Sequence, residues 1–417
     1  MSRNLILEKF DLLSIILVSI LTISGLINIY SATYVSDSEM LSLTNPFGKQ
    51  LLFVFFSAAL FCIILFFKGK LFQQYSSLIY LFMTITLILV LFFGNEIKGA
   101  SSWFSFFGFS FQPSEFMKPV TGLVLAKFLS NIHSDLKRTK VQLYSFIIVF
   151  IPILLIILQP DPGTALIYFS FFFVLYIVGL PSIYMNLFIV SVILFLITIL
   201  FDMNNIILFI SVLTGLLGLI FLYRKIKIGR LLFLSISSII FIIFIDFVYN
   251  DIFEQRHRDR FEVVLGITED NRGIGYNTNQ SQLAFKSGGF SGEGFLNGSQ
   301  TKGNFVPEQH SDYIFATIGE EWGFIGTFTI ILVYTLLIMR MINRANKHRN
   351  IFNKIFIYSV ASIFFFQFSI NVSMVVGIFP TVGIPLPFIS YGGSSMVASI
   401  LLFAGYIKFD SYKKEKW

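Results

Sequence analysis

The strongest chemical feature of this sequence is an acid delivered to the mouth of an apolar helix. His310, Ser311 and Asp312 close a polar stretch, 281–326, that is crowded with glycine, and they lead directly into an apolar run. Lipid tolerates irregular backbone only where protein or water satisfies its amides, so this stretch belongs in water or against other protein. The spacing predicts Asp312 in the first turn of the new helix, beside the positive end of its dipole and therefore ionised. A carboxylate so placed can take a proton from a hydroxyl, or hold a hard divalent cation. The glycines before it, Gly288 and Gly289 after Ser287, allow close backbone approach, and their amides can form an anion-binding nest.

Four further polar islands interrupt the apolar chain. In KGASSWFSFFGFSFQPSEFMK (98–118), Pro113 reads as the first residue of a helix, with Gln112 before it. Glu115 and Lys118 share a helix face at a spacing of three. Ionisable groups near a span tend to be functional, and the plainer alternative is a surface ion pair at a helix start. In QPDPGT (159–164) two prolines force a sharp break, and Asp161 can cap the next helix, serve a site, or both. EQRHRDR (254–260) is either a solvated segment or a source of bidentate phosphate donors in Arg256, Arg258 and Arg260. GIPLPFISYGGSS (383–395) makes a bent entry to the last helix, and packing alone accounts for its small residues. Glu320 and Glu321 lie about two turns beyond Asp312, where pairing with basic groups of neighbouring helices is expected. The islands carrying Glu115, Lys118 and Asp161 begin or end spans at the face where Asp312 lies, so these side chains are expected to converge with it.

The elements that must position these groups follow from composition. Of 417 residues, 55% are hydrophobic and 13% charged, with a mean hydropathy of +0.79. Soluble domains carry about 25% charged residues, so an ordinary soluble protein is excluded. The net charge of +7 lies in short loops between apolar runs rather than on one face, which excludes nucleic acid as the partner and fits a membrane topology. The single cysteine, Cys62, sits inside an apolar run and excludes an intrachain disulfide or a thiol–metal site. The 53 phenylalanines suit lipid-facing and packing surfaces.

Runs of about 17–25 apolar residues predict twelve spans. They lie near 11–33, 49–67, 75–93, 113–130, 143–159, 163–180, 183–201, 204–222, 230–249, 312–340, 354–378 and 389–409. No small-residue cleavage site follows the first, which is therefore read as a retained helix. Placing Lys68/Lys70, Lys137/Arg138/Lys140, Arg224–Arg230 and Arg340–Lys354 inside puts both termini in the cytoplasm. The expected organisation is one integral membrane domain, 1–417, with a large extracytoplasmic loop, 250–311, before the tenth span. No internal repeat is visible, which weighs against an inverted-repeat transporter.

Taken together, FQPSEFMK, QPDPGT, SGGFSGEGF, PEQHSDYIFATIGEEWG and PFISYGGSS resemble the SEDS family (shape, elongation, division and sporulation) of bacterial membrane peptidoglycan polymerases. The five motifs stand in family order from about Gly99 to Tyr406; each alone is weak, and five in order are specific. The short N-terminal leader resembles the rod-shape (RodA-like) branch. The family has ten spans, so twelve imply an extra pair, within 183–249. The arginine that the family usually places before Trp103 is Ser102 here, and the usual HTDFIF reads HSDYIF, which keeps the hydroxyl and the acid.

The resemblance implies an all-α polytopic bundle in the bacterial inner (cytoplasmic) membrane. It implies a glycosyltransferase joining lipid II units into glycan strands, with release of undecaprenyl diphosphate, for cell elongation and shape. Asp312 would be catalytic. Trp103, Gln112, Ser114, Glu115, Lys118, Asp161, Arg256, Ser287, Gly288, Gly289, His310, Ser311, Glu320 and Glu321 would meet substrate. A Mg or Mn ion could sit on Asp312, and no organic cofactor is implied. The implied partners are a single-span class B penicillin-binding transpeptidase, the elongation machinery and membrane lipid. Two other functions share many of these features: a flippase for the lipid-linked precursor, which needs a central polar path, and a non-catalytic scaffold, for which the HSD motif is surplus.

Overall fold

The structure is a computed structural model, and it describes residues 10–34, 40–97, 99–106, 109–131, 134–201, 203–223, 229–253, 255–267, 273 and 275–412. In lipid every backbone amide must be satisfied within its own segment, so apolar runs of span length become helices. Each of the twelve expected spans coincides with helix. Nine helices of the described residues are long and apolar enough to cross a membrane, and this is a multi-pass membrane protein. The helices over the other three expected spans are shorter or carry more charge: Pro113–Leu129, the pair Pro162–Ile167 and Ser170–Val178, and Gly393–Asp410.

The chain divides into two compact units, 1–180 with 277–417, and 181–276. The division falls within the stretch expected to be one large loop, 250–311, much of which is helical. The first unit opens with α1 (Leu12–Thr33), α2 (Pro46–Phe66) and α3 (Gly69–Phe93). A three-stranded antiparallel sheet follows, β1 (Asn95–Ile97), β2 (Ala100–Phe106) and β3 (Phe109–Phe111), in the order β1-β2-β3. Then come α4 (Pro113–Leu129), α5 (Thr139–Ile157), α6 (Pro162–Ile167) and α7 (Ser170–Val178). The second unit holds α8 (Ser182–Leu200), α9 (Met203–Tyr223), α10 (Gly229–Phe247), a π-helical turn (Val248–Ile252) and α11 (Gln255–Leu265). The first unit resumes with α12 (Tyr276–Gly288), α13 (Ser299–Lys302), α14 (Ile314–Asn346), α15 (Ile351–Val376) and α16 (Gly393–Asp410).

Within the first unit α15 is the central helix, packing against α4, α7, α14 and α16. Local chemistry sets its ends. The Asn350 side chain accepts the Asn353 amide at its start, and Gly377 closes it in the left-handed conformation, φ 85°, that glycine tolerates best. Gln367 and Asn371, both fully buried, lie one turn apart in its second half. At the far end of α14 an ionic cluster joins three helices. Arg340 donates to both oxygens of buried Asp11 at 2.6–2.9 Å, Ser14 and Tyr406 donate to Asp11 at 2.6 Å, and Arg344 and His348 meet Asp410. This ties the start of α1 and the end of α16 to the last turns of α14.

Candidate active site around Asp312

Three consecutive carbonyls hold the HSD segment. The His310 carbonyl accepts from the Tyr391 amide at 2.9 Å, that of Ser311 from the Ser390 hydroxyl at 2.7 Å, and that of Asp312 from the Asn371 side-chain amide at 2.8 Å. The Ser390 hydroxyl also accepts the Leu386 amide at 2.7 Å. Gln50 of α2 braces the same stretch, donating to the Ser390 carbonyl and accepting the Gly392 amide. The segment 310–312 is therefore pinned to the Pro- and Gly-rich stretch before α16, which does more than shape a helix entry.

Asp312 does not lie in the first turn of α14, as the sequence suggests. The Glu308 carbonyl accepts the amides of both Ser311 and Tyr313, which turns the chain once more before the helix starts at Ile314, with Tyr313 at its cap. The Asp312 carboxylate, half-buried, reaches toward Gly383: its Oδ2 lies 3.4 Å from where a β-carbon on that glycine would stand. Gly383 has φ +69°, so both the backbone and the neighbouring acid favour glycine.

The preceding residue, Val382, meets the start of α6, where a β-carbon on Gly163 would overlap its carbonyl. Two residues earlier Asp161 caps α6, accepting the Thr164 amide at 3.0 Å and the Thr164 hydroxyl at 2.8 Å. It also takes 2.8 Å from the Gln112 side chain, so Asp161 is both a cap and a member of a polar cluster. The Gln112 amide donates to Ser394 Oγ, which donates to the Ser110 carbonyl. Glu115 and Lys118 form a fully buried ion pair, Lys118 Nζ lying 2.8 Å from both carboxylate oxygens. Ser114 is buried beside them, its carbonyl accepting the Tyr168 hydroxyl. Burial pushes the Asp161 carboxyl above its ordinary value; the Thr164 bonds oppose this, Glu115 adds to it and Lys118 counters it. Gln112, Glu115, Lys118 and Asp161 thus share one electrostatic environment, and the 382–383 turn links it to Asp312.

The glycine-rich stretch docks on a break in α14. Gly323 has φ 61°, ψ −156°, which interrupts the helix and frees backbone groups on either side. The amides of Glu293 and Gly294 donate to the carbonyls of Glu320 and Glu321, and those of Phe324 and Ile325 to Gly289 and Phe290. A methyl on Gly288 would overlap the Gly319 carbonyl, one on Gly292 the Glu321 carbonyl, and one on Gly323 the Gly292 amide. Gly292→Ala is therefore expected to undock this loop. Amide exchange at Gly294 and Phe324 should rise about tenfold or more, and unchanged protection would refute the assignment.

Glu320 and Glu321 do not take the basic helix partners expected of them. Buried Glu320 accepts the amides of Gln300 and Thr301 at 2.6 and 3.0 Å and the Thr301 hydroxyl, so it caps the short α13. Glu321 accepts the Ser31 hydroxyl of α1, and Lys302, which donates to the Ser31 carbonyl, comes from α13 and not from a neighbouring span.

A cavity of about 710 Å³ opens between the end of α1 and the 296–310 stretch, with His310, Glu308, Lys302 and Tyr34 on its wall. Its described lining reaches His310 but includes none of Asp312, Asp161, Glu115 and Lys118. Trp103 sits on β2, paired with Asn95, and the adjacent Ser102 is fully buried. Ser287 is exposed near the end of α12. Arg256 lies on α11, and its side chain falls outside the described residues. Sequence reasoning missed Asn371, Ser390 and Gln50. An asparagine, a serine and a glutamine in or beside apolar runs were the available signal, since such groups in lipid need partners.

Among the described residues no three His, Cys, Asp or Glu side chains are grouped to hold a metal.

A multi-pass helical membrane protein with an acid pinned between helix mouths is the class that fold and site define. The FtsW/RodA/SpoVE family model, described as cell cycle protein, matches residues 11–211 and 183–415, and the chain belongs to this SEDS family. The two matched stretches overlap at 183–211, inside the region where the sequence places the surplus spans. The peptidoglycan glycosyltransferase MrdB of Escherichia coli is 30% identical over 339 residues, covering 81% of this chain and 77% of that protein. The peptidoglycan glycosyltransferase RodA of Treponema pallidum is 28% identical, covering 94% and 96%. Among solved structures, a chain of a peptidoglycan synthase complex aligns with TM-score 0.69 at 23% identity, covering 97% of this chain and 99% of that one. The rod-shape-determining protein RodA of Thermus thermophilus aligns with TM-score 0.61 at 21% identity, covering 98% of each.

Proposed function

We infer that this chain is a peptidoglycan glycosyltransferase, polymerising a lipid-linked disaccharide-peptide into glycan strands for cell elongation. The observation that carries the reading is the Asp312 carboxylate, held by its own main chain and linked through one turn to Asp161, Gln112 and the buried Glu115–Lys118 pair, in a chain of this family. In the proposed step, Asp312 takes the proton of the acceptor sugar hydroxyl as that oxygen bonds the donor's anomeric carbon. The bond from that carbon to the diphosphate breaks, and undecaprenyl diphosphate leaves with the electron pair. An ordinary carboxylate is too weak to ionise an alcohol beforehand, so proton transfer and bond formation are concerted. A Mg or Mn ion on Asp312 would draw its other ligands from phosphate oxygens and water.

The test is formation of glycan polymer from purified lipid II by the full chain. Supply of a penicillin-binding transpeptidase partner, which the kinship to a peptidoglycan synthase complex supports, belongs in the same assay. Absence of polymer with precursor still crossing the membrane would overturn the polymerase reading in favour of a flippase.

The proposed topology puts twelve spans in the inner membrane with both termini cytoplasmic. Ser299 and Lys347 are both exposed and stand on opposite sides of α14 in sequence. With Cys62 replaced, cysteines at 299 and 347 are expected to react with an impermeant thiol reagent from opposite faces. Labelling of both from one side would overturn this topology and take Asp312 off the outer surface.

A further inference from the structure

We propose that Asn371 is a positioning residue for this transfer. Its side-chain amide donates to two carbonyls from different parts of the chain, Asp312 at 2.8 Å and Ile384 at 2.7 Å. A primary amide has two N–H donors, and both are used here. That turn is where the Asp312 carboxylate lies, 3.4 Å from the space a side chain on Gly383 would occupy. The residue is fully buried near the C-terminal end of an apolar helix, and with its side-chain oxygen buried without a hydrogen-bond partner, the two donated bonds are what hold it in place. The Tyr391 bond comes from backbone, and the Ser390 hydroxyl joins the Ser311 carbonyl to the Leu386 amide and does not reach Asp312. Asn371 couples the acid's own carbonyl to the turn the acid faces, so it sets the direction of the carboxylate without touching substrate.

This inference rests on the reading of Asp312 as the proton acceptor, and its test separates the two. Asn371→Leu keeps the approximate size and removes both donors. In the full chain, supplied with its transpeptidase partner where the wild type needs one, kcat for glycan synthesis should fall about 10–100-fold, the effect of a misplacement near 1 Å. KM for lipid II should stay within about threefold, because binding does not depend on the carboxylate's direction. In an Asp312→Asn background the same substitution should cost nothing further, since there is no carboxylate left to aim. A purely structural role would instead lower both backgrounds alike and reduce thermal stability with them. If Asn371→Leu fails to fold, Asn371→Ala carries the test, because it leaves room for water to reach the two carbonyls. Wild-type kcat in a folded Asn371 variant, or equal losses in both backgrounds, would overturn the proposal while leaving Asp312 in its role. Full activity in Asp312→Asn would overturn both.

Discussion

Asp312→Asn is expected to stop glycan synthesis and leave the protein folded. The substitution keeps size and shape, and the three bonds that hold 310–312 use main-chain carbonyls that the side chain does not supply. The lost charge lies ahead of α14 and not in its first turn, so the dipole contribution stays at or below about 0.3–1 kcal/mol. General acid–base catalysis is typically worth about 10²–10⁴-fold, and polymer yield from lipid II should fall by that factor. Lipid II binding should largely survive, because the proton moves only in the transition state. Partial recovery by Asp312→Glu at raised Mg or Mn would favour cation binding over proton transfer. Wild-type polymer from a well-folded Asp312→Asn protein would reduce the HSD segment to a structural turn.

Lys118→Met should be the most destabilising change in the polar cluster. Lys118 and Glu115 are both almost completely buried, with Nζ 2.8 Å from each carboxylate oxygen. Removing the cation strands an acid inside the bundle, and breaking a buried pair in this way costs about 3–5 kcal/mol. The melting temperature in detergent should drop clearly, with Glu115→Gln alone giving a smaller fall. Replacing both members, Glu115→Leu with Lys118→Met, should recover most of the stability, because buried pairs are often no better than apolar residues of similar volume. Glycan synthesis should not return with it if the pair serves the site. A double variant that regains both stability and activity would make the pair structural only.

The helical frame was legible because lipid imposes one rule on every span: about 20 apolar residues, with all amides satisfied internally. The ion pair of Glu115 and Lys118 and the capping by Asp161 were equally accessible, since both depend on residues three apart. What escaped depends on partners distant in sequence. Asn371 reads as one polar residue in an apolar run, and only the fold shows that it spans Asp312 and Ile384. Glu320 reads as a charge seeking a charge, yet it caps four residues of helix that begin 21 positions upstream. The strands at 95–111 were hidden by phenylalanine, which suits lipid and sheet alike. The start of α14 was placed two residues too early, at Asp312, because the Glu308 carbonyl captures two amides ahead of the helix.

The break at Gly323 bears on how the protein meets membranes of different thickness. Unbroken, α14 would be a rod of 33 residues, about 50 Å, against a hydrocarbon layer of about 30 Å. Such a rod answers a thinner bilayer by tilting, and a tilt would swing its far end sideways. With the pitch interrupted at 323, the length that must match the lipid is 324–346, about 34 Å, anchored by Arg340 and Arg344. The piece beyond it, 314–322, is held instead by the docked glycine loop and by Glu320 on α13. Changes in acyl-chain length are therefore absorbed below the break, and the acid at 312 keeps its place above it.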